Sequence, residues 1–197
     1  MPTIYLIRHT KPDVPKGLCY GQTDVPLAVS FPEEAAAVER KLTALLGNDV
    51  REIPTLSSPL QRCTVLAKHL SRVSEIQTDE RLKEMNFGAW EMQAWGAIDE
   101  FVMNAWMRDF VRVAPPLGET FEDVALRAVV ALKDAVAKLP EDASHLVLVC
   151  HAGVVRALLA FALELPLHRA FALEIDYGSV SAIRWEQHYS SVLFVNR

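Results

Sequence analysis

Three short runs of apolar residues each end in polar or basic side chains and lead directly into a helix or a long loop. The first run, at residues 4–7, leads into Arg8 and His9, and the last run ends directly before His151. The middle run ends at a pair of serines, and Arg62 follows near the start of the next helix. Unbroken apolar runs of this length are typical of strands buried on both faces. Because parallel strands present their carboxyl ends at one edge, we expect these four basic side chains to meet in one crevice.

Strands that alternate with helices predict an α/β fold, a three-layer α/β/α sandwich around a mostly parallel sheet. Apolar residues at helical spacing predict helices that begin near residue 32 and near residue 119. The serine pair and proline at residues 57–59 predict a side-chain cap for the helix after the middle strand. Residues 178–183 and 190–195 predict a terminal hairpin that supplies an antiparallel strand at the sheet edge.

The domain organisation is predicted from length and from one aromatic-rich segment. We expect a single domain over residues 1–197, because this length suffices for a full hydrophobic core. Residues 86–118 hold three of the four tryptophans. Aromatic residues at helical spacing most often belong to a core. We therefore predict a small helical cap, inserted at about 86–118, that packs over the crevice.

The amino-acid composition argues against some classes of binding partner and favours one cellular compartment. The formal net charge of -5 argues against nucleic acid or an acidic membrane as a partner, since both favour basic surfaces. The most apolar stretch, residues 153–165, is interrupted by Arg156 and Glu164 and is too short to span a bilayer. The chain begins without a secretory leader pattern, and its three cysteines have no paired spacing, so we expect a cytoplasmic protein. A homodimer stays an open alternative to a monomer.

The residue types gathered at the predicted crevice suit one kind of chemistry. A phosphate monoester carries close to two negative charges, and guanidinium groups bind it by paired, charge-assisted hydrogen bonds. A neutral imidazole can attack phosphorus and form a phosphohistidine. The leaving oxygen then needs a proton from a carboxylic acid. With no motif of metal-ligand spacing in the sequence, we expect phosphoryl transfer from a small phosphorylated metabolite without a metal or another cofactor.

Four stretches of the chain resemble the signature stretches of the histidine phosphatase, or phosphoglycerate-mutase-like, superfamily, and they occur in that family's order. They are LIRH at 6–9, SSPLQR at 57–62, LKEMNFGAWE at 82–91 and VCHAG at 149–153. The resemblance covers nearly the whole chain and implies the phosphoglycerate-mutase-like fold. It also implies that His9 is the phosphorylated nucleophile and Glu84 the proton donor, and that Arg8, Arg62 and His151 line the phosphate pocket.

Two positions depart from the family pattern. The family usually has a glycine after the nucleophilic histidine, where this chain has Thr10. The family also often has a glycine after Trp90 and Glu91, where this chain has Met92. If the backbone at Thr10 requires a positive φ, a β-branched residue there is strained. Otherwise the threonine adds a hydroxyl to the pocket.

The loop after the first strand indicates which members of the superfamily this chain resembles most. Residues 17–27 resemble the α-ribazole phosphatases of cobalamin synthesis, which remove phosphate from α-ribazole 5′-phosphate or cobalamin 5′-phosphate. The resemblance implies that Tyr20 and Gln22 border the substrate, and we place Thr10 and Gly153 with them as candidate substrate contacts. A phosphoglycerate mutase and a broad-specificity sugar-phosphate phosphatase of the same family are the alternatives.

Two further readings belong to other classes. Cys150 begins a Cys-x-x-Gly-x-x-Arg spacing typical of cysteine-dependent phosphatases, although the residues that flank this motif differ from that family's pattern. A phosphoester-binding module without catalysis would retain the pocket and lose the nucleophile or the acid. Asp79, Glu80 and Glu91 compete with Glu84 for the acid role.

Overall fold

A six-stranded mixed sheet forms the centre of the computed structural model, which describes residues 1–47, 52–71, 76–186 and 190–197. The spatial order of the strands is β3-β2-β4-β1-β5-β6. Strands β1 to β4 pair in parallel, and β5 runs antiparallel to both of its neighbours. The strands are β1 (Thr3–Arg8), β2 (Thr55–Ser57), β3 (Gln77–Thr78), β4 (His145–Cys150), β5 (Val180–Arg184) and β6 (Ser191–Phe194). The predicted mostly parallel sheet with a terminal antiparallel hairpin is confirmed.

Helices cover both faces of this sheet. Those of the described ranges are α1 (Phe31–Leu46), α2 (Gln61–Leu70), α3 (Glu100–Arg108), α4 (Phe121–Ala137) and α5 (Ala152–Ala162). Short 3₁₀ turns lie at Glu80–Leu82, Gly88–Trp90, Trp95–Ala97 and Leu167–Ala172. In the part of the chain that the structure describes, no helix combines the length and the apolar character needed to cross a membrane.

Strand β1 shows how the sequence builds three layers. Ile4 and Leu6 join the core cluster formed with α4 and α5. Tyr5 and Ile7 join the cluster formed with α1 and α2 on the opposite face. Successive side chains of a strand point to opposite faces, so an apolar run without polar interruptions needs a helical layer on each side.

The parallel register brings the ends of three strands to one edge of the sheet. Arg8 aligns with Cys150 across β1 and β4, and Ser57 aligns with Val149 across β2 and β4. The backbone N–H of His9 donates to the Cys150 carbonyl at 3.0 Å, continuing the ladder one step beyond the strand end. Residues 9, 58 and 151 therefore follow neighbouring strand ends at one edge of the sheet.

Residues 86–118 hold short 3₁₀ turns and α3 around an aromatic cluster. Trp90 is buried, and Trp95 and Trp106 pack against it at ring-centroid distances of 6.3 Å and 5.5 Å. This segment pairs with the loop after β1, where the Cys19 N–H donates to the Gln93 carbonyl at 2.8 Å. Phe101, by contrast, is 83% exposed on α3, so the prediction that the aromatic residues of this segment belong to a core is wrong for that side chain.

Three local expectations are decided by backbone geometry. Thr10 does not adopt a positive φ, so the threonine is not strained by its backbone conformation. Met92 has φ = 63°, the left-handed region that glycine adopts without strain. The predicted serine cap of α2 is wrong, because Leu60 occupies the N-cap position, and the Asp24 carboxylate accepts from the N–H of Gln61, the first residue of α2, at 2.9 Å. The hydroxyl of Ser58 bonds the His151 ring instead.

Candidate active site

The His9 ring is buried, and one hydrogen bond fixes its tautomer. His9 is 2% exposed, and its Nδ1 lies 2.7 Å from the Thr10 carbonyl oxygen. A carbonyl can only accept, so Nδ1 carries the proton and donates it, which leaves the Nε2 lone pair available. Burial lowers the pKa of His9 well below its usual value, and the charges of Arg62 and Arg8 lower it further. The ring is therefore a neutral imidazole with a free Nε2.

A second buried imidazole stands edge-on to the first. The ring centroids of His9 and His151 are 5.1 Å apart. His151 Nε2 lies 2.8 Å from the hydroxyl of Ser58 and 3.5 Å from the Cys63 thiol. Burial lowers the pKa of His151, and the neighbouring His9 and Arg62 lower it further. Both rings are therefore neutral near pH 7.

Two guanidinium groups hold positive charge beside these rings. Arg62 is fully buried and donates from Nη2 to the Gly21 carbonyl at 2.5 Å and from Nη1 to the Thr23 carbonyl at 3.0 Å. Arg8 donates from Nη1 to the Ile175 carbonyl at 2.6 Å. The Nε atoms of both arginines are buried and have no hydrogen-bond partner among the described residues.

In the same described ranges neither Arg8 nor Arg62 forms an ion pair with a carboxylate. A buried cation without a counterion is strongly unfavourable unless an anion or a set of dipoles compensates it. The site therefore has the charge and the free donors to bind an anion.

Glu84 approaches this group from the segment after the Glu80–Leu82 turn. Its Oε1 accepts from the Met85 N–H at 3.0 Å, and its Oε2 accepts from the Gly153 N–H at 3.2 Å. Gly153 lies in the first turn of α5, where the helix dipole favours a carboxylate. A Cβ at position 153 would overlap Glu84 Oε1, so the close approach requires glycine. The structure thus places Gly153 against Glu84.

Arg127 on α4 holds the segment that carries Glu84, and the sequence analysis did not identify it. Its Nη1 donates to the carbonyls of Arg81 and Lys83 at 2.7 Å and 2.6 Å. Its Nη2 donates to the Glu84 carbonyl at 3.0 Å and to Glu119 Oε1 at 2.7 Å. The sequence feature that could have indicated Arg127 is its place on α4, three residues after Val124 and next to the buried face of the helix.

Glu91 has a different task from Glu84. Its carboxylate accepts from the backbone N–H groups of Gly21, Gln22, Thr23 and Phe87 and from the Thr23 hydroxyl. Burial raises the pKa of Glu91, but these hydrogen bonds outweigh burial and hold the pKa below its usual value. Glu91 is therefore an ionised clamp on the loop whose carbonyls bind Arg62.

The other two competing carboxylates pair with neighbouring cations. Asp79 bonds Arg81 at 2.7 Å, and Glu80 bonds Lys83 at 2.5 Å. Of the four carboxylates considered, Glu84 alone has a described hydrogen bond to the helix that follows His151.

The remaining candidate residues lie around the same pocket. The Thr10 hydroxyl is buried and has no partner among the described residues. The Tyr20 ring lies 5.5 Å from Arg62 Cζ. Gln22 Nε2 donates to the Glu84 carbonyl at 3.1 Å, which uses part of its amide on the protein itself. Tyr177, which the sequence analysis did not single out, stacks on Arg8.

Cys150 lacks the setting of a reactive thiol. It is fully buried in β4, and burial raises the pKa of its thiol, as does the nearby charge of Glu84. The thiolate, which is the nucleophile, is therefore disfavoured. Arg156, the arginine of the Cys-x-x-Gly-x-x-Arg spacing, donates from Nε to the Leu173 carbonyl at 2.9 Å. The site is thus a histidine-centred group of buried side chains with the charge and donors to bind a phosphate-like anion, of the kind that supports phosphoryl transfer.

Comparisons with known proteins agree with this class. The sequence model of the histidine phosphatase superfamily (branch 1) matches residues 4–197. The adenosylcobalamin/alpha-ribazole phosphatase of Escherichia coli is 27% identical over 202 residues, covering 98% of this chain and 95% of the relative. The chain belongs to the histidine phosphatase superfamily and is a phosphoric monoester hydrolase.

Solved structures give the same result. The alpha-ribazole phosphatase from Shigella flexneri superposes with a TM-score of 0.85 at 25% identity, over 99% of this chain and 96% of that one. A mycobacterial glucosyl-3-phosphoglycerate phosphatase solved with VO3 gives a TM-score of 0.84 at 27% identity, over 100% of this chain and 99% of that one. Two relatives with different substrates in their names are therefore about equally similar to this chain.

Proposed function

We propose that this protein hydrolyses the phosphate monoester of a small metabolite through a phosphohistidine on His9. The observation that carries the proposal is the hydrogen bond from His9 Nδ1–H to the Thr10 carbonyl, which leaves Nε2 available beside two guanidinium groups that form no ion pair with a carboxylate of the described residues. Nε2 attacks phosphorus, and the bond to the ester oxygen breaks. That oxygen leaves as an alcohol with a proton from Glu84.

The second half of the reaction restores the enzyme. The Glu84 carboxylate takes a proton from water, and the water oxygen forms a bond to phosphorus while the bond to His9 Nε2 breaks. Inorganic phosphate is released and Glu84 is again protonated. Throughout, Arg8, Arg62 and His151 bind the phosphoryl oxygens, where fixed donors stabilise the charge of the transition state.

For the substrate we propose α-ribazole 5′-phosphate or cobalamin 5′-phosphate. The resemblance of residues 17–27 to α-ribazole phosphatases supports this choice, and so does the similarity to the Escherichia coli phosphatase. Thr10, Tyr20 and Gln22 would then contact the substrate beside the phosphate. The second candidate is a sugar-phosphate phosphatase, because the mycobacterial glucosyl-3-phosphoglycerate phosphatase is about as similar.

A substrate panel tests the choice. Phosphate release from α-ribazole 5′-phosphate, 3-phosphoglycerate, glucosyl-3-phosphoglycerate and simple sugar phosphates is compared by kcat/KM with a metal chelator present. We expect the highest value for α-ribazole 5′-phosphate. A higher value for a sugar phosphate would reject the cobalamin assignment, and conversion of 3-phosphoglycerate to its isomer would indicate a mutase.

Variants at two positions test the nucleophile. His9→Ala should abolish turnover. It should also abolish the acid-labile phosphoenzyme that is trapped when the wild-type protein is denatured during the reaction. Cys150→Ser replaces the buried thiol by a hydroxyl of similar size and should retain most activity. The opposite pattern would establish the cysteine mechanism, and a wild-type protein with pocket binding but no phosphoenzyme would be a binding module.

A further inference from the structure

Tyr177 lies directly against one of the two arginines of the pocket. It belongs to the segment between the Leu167–Ala172 turn and β5, and Arg8 Cζ lies 3.6 Å from its ring centroid. The carbonyl of Ile175, in the same segment, accepts the Arg8 Nη1–H at 2.6 Å. The ring of His9 is 5.6 Å from that of Tyr177. One short segment therefore sets both the plane and one hydrogen bond of the Arg8 guanidinium.

Tyr20 has an equivalent position on the other side of the pocket. Its ring centroid lies 5.5 Å from Arg62 Cζ, and the carbonyl of the next residue, Gly21, accepts from Arg62 Nη2. The hydroxyls of Tyr20 and Tyr177 lie 2.6 Å apart and share a hydrogen bond. Each arginine thus contacts one tyrosine ring and at least one carbonyl of the segment that carries that tyrosine, and the hydroxyl bond joins the two tyrosines.

The surroundings of the Tyr20 hydroxyl, which bonds that of Tyr177, favour its neutral form. Burial raises the pKa of Tyr20, and the hydrogen bond to Tyr177 raises it further. The Tyr20 hydroxyl therefore stays protonated near pH 7, and the two hydroxyls share one hydrogen bond. A cation stacked on an aromatic ring is attracted to the ring and loses rotational freedom. A guanidinium with fixed orientation binds an anion with less loss of entropy than a mobile one.

We propose that Tyr177 is a positioning residue for phosphate binding, acting through Arg8, and that the Tyr20–Tyr177 hydroxyl bond couples the two arginines. This inference rests on the proposed function only in assigning phosphate to the pocket. Because the effect acts through the phosphoryl oxygens, it is independent of the alcohol part of the substrate. It therefore applies equally to substrates and to inorganic phosphate.

Equilibrium binding of inorganic phosphate by calorimetry tests the proposal without turnover. Tyr177→Leu removes the ring and should weaken binding by about tenfold. Tyr177→Phe preserves the ring and should stay within about threefold of the wild type. Phe171→Leu is the matched control, since Phe171 also lies under an arginine, Arg156, at 4.9 Å, and neither residue is among the groups proposed to bind phosphate, so phosphate binding should be unchanged.

A double-variant cycle separates positioning from a general effect on folding. In an Arg8→Lys background, Tyr177→Leu should add less than about twofold, because the group it orients is absent. Tyr20→Phe, Tyr177→Phe and the double variant should be equal to one another, since each removes the same hydroxyl bond. Circular dichroism and thermal denaturation check that every variant is folded.

Several results would overturn the proposal. They are unchanged phosphate binding in folded Tyr177→Leu, an equal loss in Phe171→Leu, full additivity with Arg8→Lys, or a wild-type protein that binds no inorganic phosphate. A loss in kcat/KM that differs strongly between alcohols would also contradict it, since it would assign Tyr177 to the leaving group. Failure of the proposed function is separate, because it shows as turnover that survives His9→Ala.

Discussion

Glu91→Gln separates a structural carboxylate from a chemical one. The substitution preserves size but exchanges one oxygen for an NH₂ donor. Glu91 Oε1 accepts from the N–H groups of Gln22 and Phe87, and Oε2 accepts from those of Gly21 and Thr23. Whichever oxygen is replaced, two backbone N–H groups lose their acceptor, because the NH₂ group of glutamine in its place is itself a donor.

The magnitude follows from these lost bonds. A hydrogen bond to a charged group contributes about 1.5–3 kcal/mol. Two lost bonds at the lower figure, which suits a half-buried carboxylate, give a loss of about 3 kcal/mol in the free energy of unfolding. The loop that moves carries the Gly21 and Thr23 carbonyls that bind Arg62, so kcat/KM should fall as well.

Urea unfolding at pH 7, followed by circular dichroism, measures the stability change. Glu84→Gln is the comparison, because among the described residues two N–H groups donate to that carboxylate and one of them keeps an oxygen. We expect a stability loss of about 1.5 kcal/mol for Glu84→Gln, one lost bond at the same lower figure. Its activity should fall far more on esters with poor leaving groups than on activated aryl esters. Equal stability of Glu91→Gln and the wild type would refute the clamp.

The pH dependence gives a second check on Glu91. Its folded pKa is held below the unfolded value, so its contribution to stability is present above the unfolded pKa and is lost as pH falls through the folded pKa. Between about pH 5 and pH 3, the wild type should therefore lose stability more steeply than Glu91→Gln. Parallel curves would contradict the hydrogen-bond geometry.

Three further predictions follow from single contacts. Gly153→Ala should displace Glu84 and lower kcat on esters with poor leaving groups by at least about tenfold, whereas Gly96→Ala, with no atom within 4 Å of the added carbon, should leave kcat unchanged. Met92→Gly should raise the free energy of unfolding by about 0.5 kcal/mol, because it removes left-handed strain from a half-exposed residue and adds the smaller entropy cost of glycine; a lower Tm would contradict this. The folded pKa of His9 lies below its unfolded value, so stability should fall as pH decreases below about 6.5, where the unfolded ring takes a proton that the buried ring refuses. Urea unfolding from pH 7.5 to 5.5 should show a weaker dependence in His9→Asn, and an unchanged slope would refute the buried neutral ring.

The pattern of apolar residues along the sequence was enough to predict which strand ends meet at one edge of the sheet. The apolar run before Arg8 is buried on both faces and pairs in parallel with the run before His151, which in turn pairs in parallel with the run before Ser58. Alternation along a strand and the parallel register are enough to bring those three strand ends together. This is why the sequence predicts, without coordinates, that Arg8, His9, Arg62 and His151 gather at one edge of the sheet. Local pattern failed at Ser58 itself, whose hydroxyl bonds a ring 93 residues away instead of capping its own helix.

Tertiary structure decided what each polar side chain does. Nothing in the sequence near Arg127 indicates that it binds three carbonyls of the Glu84 segment, or that Tyr177 lies on Arg8. The sequence also could not show that Glu91 is a clamp while Glu84, seven residues earlier, contacts the first turn of α5. These roles depend on hydrogen bonds and ring contacts between segments 40 or more residues apart, which are directional over a few ångströms. Hydrophobic periodicity fixes which face of an element is buried, but only the packed fold fixes the angles and distances at which donors meet acceptors.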